Sequence, residues 1–181
     1  MSRRMSWTAE AGAADWDALF ARELPRVYNF FRYRLGETAE AQDLTSITFE
    51  KAWRARARYR RDLGAFTTWL FTIARNVALD HYRSERVRRI HGPVEEAEHV
   101  SAPGTPEQDA VLRSDVEHLL YLLEELPERE RDLIALRYGG DLTNREVARL
   151  TGLTESNVGT ILHRTVMGLR ARWERPKLRA V

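Results

Sequence analysis

The sequence predicts an all-α protein of two small helical domains joined by a flexible acidic linker. Three observations carry that expectation. Apolar residues recur at three- and four-residue intervals, and no stretch alternates as a half-buried strand does. Glycines and prolines fall at the ends of the periodic runs. One stretch, Gly92-Pro93 through Ser101-Ala102-Pro103-Gly104-Thr105-Pro106, combines three of the six prolines with a cluster of acids, which removes helix and extends the chain. The expected boundaries are residues 1–90, a linker over 91–111, and residues 112–181. A chain of 181 residues, 43% hydrophobic and 31% charged, lets each domain bury its own core.

In the first domain a helix is expected from about Asp15, restarted at Pro25, where proline suits a first helical turn. Leu24, Val27, Tyr28, Phe31 and Leu35 follow helical spacing, and Gly36 closes the run as a C-cap. Thr38 is placed to cap a second helix reaching about Tyr59. The loop Arg60-Arg61-Asp62-Leu63-Gly64 follows. A long helix then runs from about Ala65 to Arg89, with Phe66, Leu70, Ile73, Ala74, Val77 and His81 along one side. The second domain is expected to start near Ser114, with Val116, Leu119, Leu120 and Leu123 as its apolar stripe. Leu126-Pro127-Glu128 restarts a helix that Tyr138-Gly139-Gly140 ends, and two more helices cover about 143–151 and 155–173.

The sharpest pattern lies in 144–163. A helix-turn-helix needs a small residue where two helices cross, a glycine at the turn and apolar residues that lock the second helix onto the first. Ala148, Gly152 and Leu153, with Val147 and Leu150 before them and Val158 and Ile161 after, meet all three needs in register. Thr154 is placed to cap the second helix. Val158, Ile161, Leu162, Thr165 and Leu169 then face inward, and Ser156, Asn157, Thr160, His163, Arg164 and Met167 face out. Small polar side chains there reach major-groove base edges, and an arginine reaches phosphate or guanine. Arg170, Arg172, Arg175, Lys177 and Arg179 extend the positive charge.

The formal net charge of +2 conceals a pattern. Residues 1–91 carry 17 Lys and Arg against 11 Asp and Glu, and residues 142–181 carry eight against three. The segment between holds four against thirteen. Basic blocks attract polyanions such as nucleic acid, although solvated helix faces give the same count. In the first domain Lys51, Trp53, Arg54, Arg56, Arg58, Tyr59, Arg60 and Arg61 interleave cations with aromatics ahead of Phe66 and Trp69. Single-stranded nucleic acid is held this way, by cations on the backbone and aromatic faces under the bases. Burial of Trp53, Phe66 and Trp69 in the core is the competing reading. Arg75, Asn76, Arg83 and Arg86 add a polar stripe suited to duplex contact.

Several classes are excluded or disfavoured. With no cysteine there is no disulfide scaffold, thiolate zinc site or cysteine nucleophile. No apolar run approaches the roughly 20 residues of a membrane helix, and Met1–Trp7 lacks the apolar region of a secretory signal, so a cytoplasmic protein is expected. His91, Glu95 and His99 share a spacing that one helix could aim at a metal, but Gly92-Pro93 opposes helix there. Glu128, Glu130 and Asp132 read as a capped first turn. No catalytic residue, metal, cofactor or small-molecule substrate is expected.

Asp43-Leu44-Thr45-Ser46-Ile47-Thr48-Phe49-Glu50-Lys51-Ala52-Trp53 resembles the region 2 core helix of bacterial RNA polymerase sigma factors. Phe66 through Arg83 resembles the segment that follows it, and Leu126 through Tyr138 with the helix-turn-helix resembles region 4. The resemblance covers about 14–90 and 112–173, and a chain with only these two domains resembles the extracytoplasmic-function (ECF) class. It implies that Asp43, Leu44, Thr48 and Lys51 dock on the clamp of the polymerase β′ subunit. It implies that Arg60, Arg61, Asp62, Phe66, Arg75, Asn76 and Arg83 read and open the −10 promoter element. Region 4 would bind the β flap, with Glu155, Ser156, Asn157, Thr160, His163 and Arg164 on the −35 element. An anti-sigma protein, frequently membrane-bound, is a further partner that the resemblance brings. Ile47 departs from the family, which usually has a polar residue there, and Leu162 and Met167 stand where basic residues are common. The competing reading is a stand-alone helix-turn-helix regulator of duplex DNA, which leaves the aromatic and arginine-rich domain without a task.

Overall fold

The computed structural model describes residues 9–36, 39–60, 62, 64–91 and 108–174, with side chains at all of these except 9–15, 85–91 and 108–113. Most of the expected linker, residues 92–107, lies outside them, as do Met1–Trp7, Thr38, Arg61, Leu63, Glu95, His99, Arg175, Lys177, Arg179 and the side chain of Arg86. Among the described residues every regular element is helical. The first domain holds α1 (Ala9–Leu35), α2 (Ala39–Ala55) and α3 (Phe66–His91), and the second holds α4 (Gln108–Glu124), α5 (Glu128–Ile134), α6 (Asn144–Thr151) and α7 (Glu155–Trp173).

α1 is one helix of 27 residues with Pro25 inside it, not two helices joined there. Proline's fixed φ suits a helix, and the loss is the backbone hydrogen bond its missing N–H cannot make. Packing offsets that loss. Val27, Phe30 and Phe31 are fully buried beyond the proline, and Trp16, Leu19 and Phe20 pack against the core before it. Glu23, also fully buried, accepts from Arg22 Nε at 3.0 Å, Arg26 Nη1 at 2.9 Å and the Thr67 hydroxyl at 2.9 Å, so its charge is compensated where it lies. Gly36 ends the helix at φ 82°, its N–H donating to the Arg32 carbonyl.

α2 buries Ala41, Leu44, Thr45, Thr48 and Ala52 against α1 and α3. α3 buries Phe66, Leu70, Phe71, Ala74, Val77 and Ala78, a spacing that lines one face of a helix. The Tyr82 hydroxyl ties α3 to the end of α1 by donating to the Arg34 carbonyl at 2.9 Å.

In the second domain α4 begins at Gln108, so Ser114 lies inside the helix rather than capping it. Pro127 caps α5, which continues through a π-helical turn over Ala135–Gly139. α6 opens on a reciprocal cap: the Thr143 hydroxyl accepts from the Glu146 N–H, and the Glu146 carboxylate accepts from the Thr143 N–H. Gly152 ends α6 at φ 75°, and the Thr154 hydroxyl accepts from the Asn157 N–H to start α7.

The two domains lie against each other. α1 packs along α5 and its π-helical turn, and α3 meets α6. At Gly139 a side chain has no room, since a Cβ would stand 2.7 Å from the Asn29 carbonyl oxygen. At Gly140 a Cβ would stand 2.6 Å from the Phe71 ring. These glycines do more than end a helix: they let it approach the first domain.

Candidate nucleic-acid interface

The helix-turn-helix places its side chains as the spacing predicts. Val158, Ile161, Leu162 and Thr165 are buried, and Leu169 is half-buried. Glu155, Ser156, Asn157, Thr160, His163 and Arg164 are all exposed, a polar strip along α7 beginning at its N-terminus, and the apolar Met167 is exposed beyond it. The N-terminal end is electropositive through its unpaired N–H groups, which suits an approach to phosphate. Arg145 and Glu155 face each other at 3.8 Å across the turn, so Glu155 is engaged with α6. Leu162 sits in the core, and its departure from the family removes no surface contact.

On α2, Gln42, Asp43, Ser46, Ile47, Glu50, Lys51, Trp53 and Arg54 are exposed, as are Ala39 and Glu40 at its start. Asp43, Ile47, Glu50, Lys51 and Arg54 fall three or four residues apart and so share one outer face. Leu44 and Thr48 do not belong to it. Leu44 is 7% exposed, Thr48 is fully buried, and the Thr48 hydroxyl donates to the Leu44 carbonyl at 2.7 Å. Both therefore support the face from behind, a correction to their reading as docking contacts. Ile47, 38% exposed, puts an apolar group at the centre of the face.

Phe66 needs the same correction. It is 5% exposed and sits in an aromatic cluster with Trp16, Phe20, Tyr59 and Trp69, at ring-centroid distances of 5.2 to 6.3 Å. It is a core residue, and no base can reach its face. Trp53 goes the other way: its ring is 41% exposed and carries the Arg56 guanidinium.

The loop after α2 is organised by its own charges. Arg60 donates to both oxygens of Asp62, at 3.2 and 2.6 Å, and both residues are exposed. The arginine beside it holds the Asp62 carboxyl below the usual carboxylate range, and the same bond raises Arg60. The Tyr59 hydroxyl, pushed up by burial, donates to the Gly64 carbonyl at 3.3 Å and ties the loop's ends together. On α3, Asn76 and Arg83 are exposed, Arg83 lying 3.4 Å from Asp80. Arg75 is turned toward the second domain, where it donates to Asp132 at 2.9 Å and to the Leu150 carbonyl at 3.1 Å.

An apolar groove of about 360 Å³ opens on the second domain, lined by Leu119, Leu123, Ile134, Tyr138, Val166 and Trp173 among others. Among the described residues no histidine, aspartate and glutamate cluster is placed for a metal, and no helix is long and apolar enough to cross a membrane.

The family model for Sigma-70 region 2 matches residues 19–88, and that for Sigma-70 region 4 matches residues 108–167. The ECF RNA polymerase sigma factor SigK of Mycolicibacterium vanbaalenii is 32% identical over 165 residues, covering 90% of this chain and 80% of that protein. The chain belongs to the ECF sigma factors. The ECF sigma factor BldN of Streptomyces coelicolor is 34% identical over 163 residues, and the match spans 89% of this chain but only 61% of BldN. The sigma factor RpoE of Bartonella quintana, solved in complex with the anti-sigma factor NepR, has the same fold, with a TM-score of 0.69 at 20% identity over 90% of this chain and 99% of that one. In this sigma factor the region 2 match runs from inside α1 through α2 and most of α3, and the region 4 match runs from the start of α4 to inside α7.

Proposed function

We propose that this sigma factor binds core RNA polymerase and directs it to promoters with −35 and −10 elements. The observation that carries the reading is the exposed polar strip Ser156, Asn157, Thr160, His163 and Arg164 on a completed helix-turn-helix, in one chain with a region 2 domain. The strip supports major-groove readout of the −35 element, with base-edge contacts for specificity and arginine on guanine or phosphate. The outer face of α2, Asp43, Ile47 and Lys51, supports docking on the β′ clamp. The groove between α4 and α7 supports docking of the β flap.

Opening the −10 element requires unstacking, which costs a few kcal/mol per extruded base. Arg60, Asp62, Asn76 and Arg83, with the exposed Trp53 and Arg56, offer cations for the strand and polar edges and a ring for its bases. The chain works by binding, without a catalytic residue of its own. It acts in the cytoplasm, and an anti-sigma protein is the partner expected to restrain it. The stand-alone regulator is the less favoured reading, because it gives region 2 no role.

Gel filtration of the purified chain with core polymerase separates the two. A sigma factor co-elutes with the core enzyme. A stand-alone regulator binds duplex DNA alone and elutes apart from it.

A further inference from the structure

We propose that Asn144 and Gly159 form a notch between α6 and α7 that seats one backbone phosphate of the duplex lying along the α7 strip. The occupant rests on the promoter reading above, whereas the notch rests on geometry alone. Gly159 lies one helical turn from both Glu155 and His163, so the three form one edge of the strip. That edge faces the first turn of α6. Arg145 stands 3.8 Å from Glu155, and the Asn144 amide nitrogen would stand 3.5 Å from a Cβ added at Gly159.

The fold explains neither residue of the notch. Glycine inside a helix is less stable than alanine, because it loses more backbone freedom on folding. Alanine would fit at 159. Position 159 is ordinary helix, and apart from its own turn of helix a Cβ there would meet only that amide nitrogen, at an ordinary contact distance. Asn144 is half-buried, and its Oδ1 is enclosed without a hydrogen-bond partner, which burdens the fold rather than supporting it. Among the described residues nothing accepts from its Nδ2.

What remains is a recess one methyl group deep with an unused N–H donor on its wall. A phosphate oxygen, which only accepts, matches that donor. Arg145 brings a cation to the same edge and offsets the charge of Glu155. The place fits a groove wall as well. A helix with its side chains is about 10–12 Å across and the major groove about 12 Å wide, so the sugar–phosphate walls pass close to the edges of a helix lying in it. A missing side chain at such an edge lets one wall come nearer. Phosphate contacts fix position and not sequence, so the notch sets how deep α7 sits while the strip reads the bases.

Fluorescence anisotropy of the full chain with a labelled duplex of mixed sequence, run beside thermal unfolding, tests the notch. Gly159→Ala is expected to raise the melting temperature and yet weaken duplex binding about tenfold, as loss of one hydrogen bond to a charged group would. Asn144→Ala should weaken binding by a similar factor without lowering the melting temperature. The double variant should bind no more weakly than either single one, because both remove the same contact. Gly168→Ala is the control. Gly168 is exposed on α7 and a Cβ there meets nothing within 4 Å, so this change should raise the melting temperature and leave duplex affinity unchanged.

Unchanged duplex affinity in Gly159→Ala overturns the notch, and so does a lowered melting temperature, which would mean that the fold itself needs the glycine. Additive losses in the double variant overturn the shared phosphate. An equal loss in Gly168→Ala would trace the effect to the helix and overturn the notch too. If the notch variants behave as expected but the unaltered chain does not co-elute with core polymerase, the notch stands and the sigma-factor reading fails. If the chain co-elutes and the notch variants bind duplex as it does, the reading stands and the notch fails.

Discussion

The Arg56 guanidinium stacks on the exposed ring of Trp53, 4.0 Å from its centroid. Trp53 meets the core at Trp16 and Phe20, in T-shaped contacts with centroids 6.5 and 6.4 Å apart. Phe66, thirteen residues on, is nearly the reverse: its ring is enclosed by four other aromatics. The two should part in a mutational test. Phe66→Ala is expected to cost about 3–5 kcal/mol of stability in a denaturant titration, the usual loss for a truncated buried aromatic. Trp53→Ala should cost far less, and should instead weaken single-stranded DNA binding by up to the 1–3 kcal/mol of one stacked base.

On α2 the exposed and buried positions should also behave differently. Asp43→Arg reverses charge on the outer face and should weaken core polymerase binding with the melting temperature unchanged. Thr48→Ala removes a buried group and should lower stability by about 1 kcal/mol with the affinity of the folded chain for core polymerase intact. Equal effects of both changes on core affinity would place the docking face elsewhere.

The strip on α7 makes its own prediction. Arg164→Ala should cost about 1–3 kcal/mol on the cognate −35 duplex and relax specificity at one base pair if the arginine reads guanine. A uniform loss over all sequences, with a smaller salt dependence, would mark it as a phosphate contact. No change in either measure would remove Arg164 from the interface.

The Arg60–Asp62 pair predicts a pH response. A carboxyl held below its usual range is still ionised where an ordinary carboxylate begins to protonate, so the loop's internal pair is present at neutral pH and is lost below the usual carboxylate range. Carbon-detected NMR titration should give Asp62 a low pKa, and Arg60→Ala should raise it toward the ordinary carboxylate value. DNA opening should therefore show no inflection from this pair between about pH 6 and 8.

Local features were legible in the sequence and distant ones were not. Gly36, Gly152 and Thr154 announce their caps within three or four residues, and the inward and outward faces of α7 follow from spacing alone. The Thr143–Glu146 capping box is equally local and could have been found from its Thr-x-x-Glu pattern. Asp132 reads as part of a capped first turn, because its partners Arg34 and Arg75 are remote in sequence and leave no periodic mark. Gly139 and Gly140 read as a helix end for the same reason, since the need for their missing side chains comes from Asn29 and Phe71. Leu44, Thr48 and Phe66 sit within segments that resemble functional regions, and only packing reveals that they support those regions from inside. Pro25 suggests a break, which the flanking buried aromatics override.

Run-off transcription with purified core polymerase tests the central claim most directly. Genomic fragments transcribed by core enzyme plus this chain should yield discrete transcripts, absent from core enzyme alone and abolished when the −35 strip is replaced by alanine at Ser156, Thr160 and Arg164. Transcription that stays unspecific in the presence of the chain, while the chain still binds duplex DNA, would contradict it.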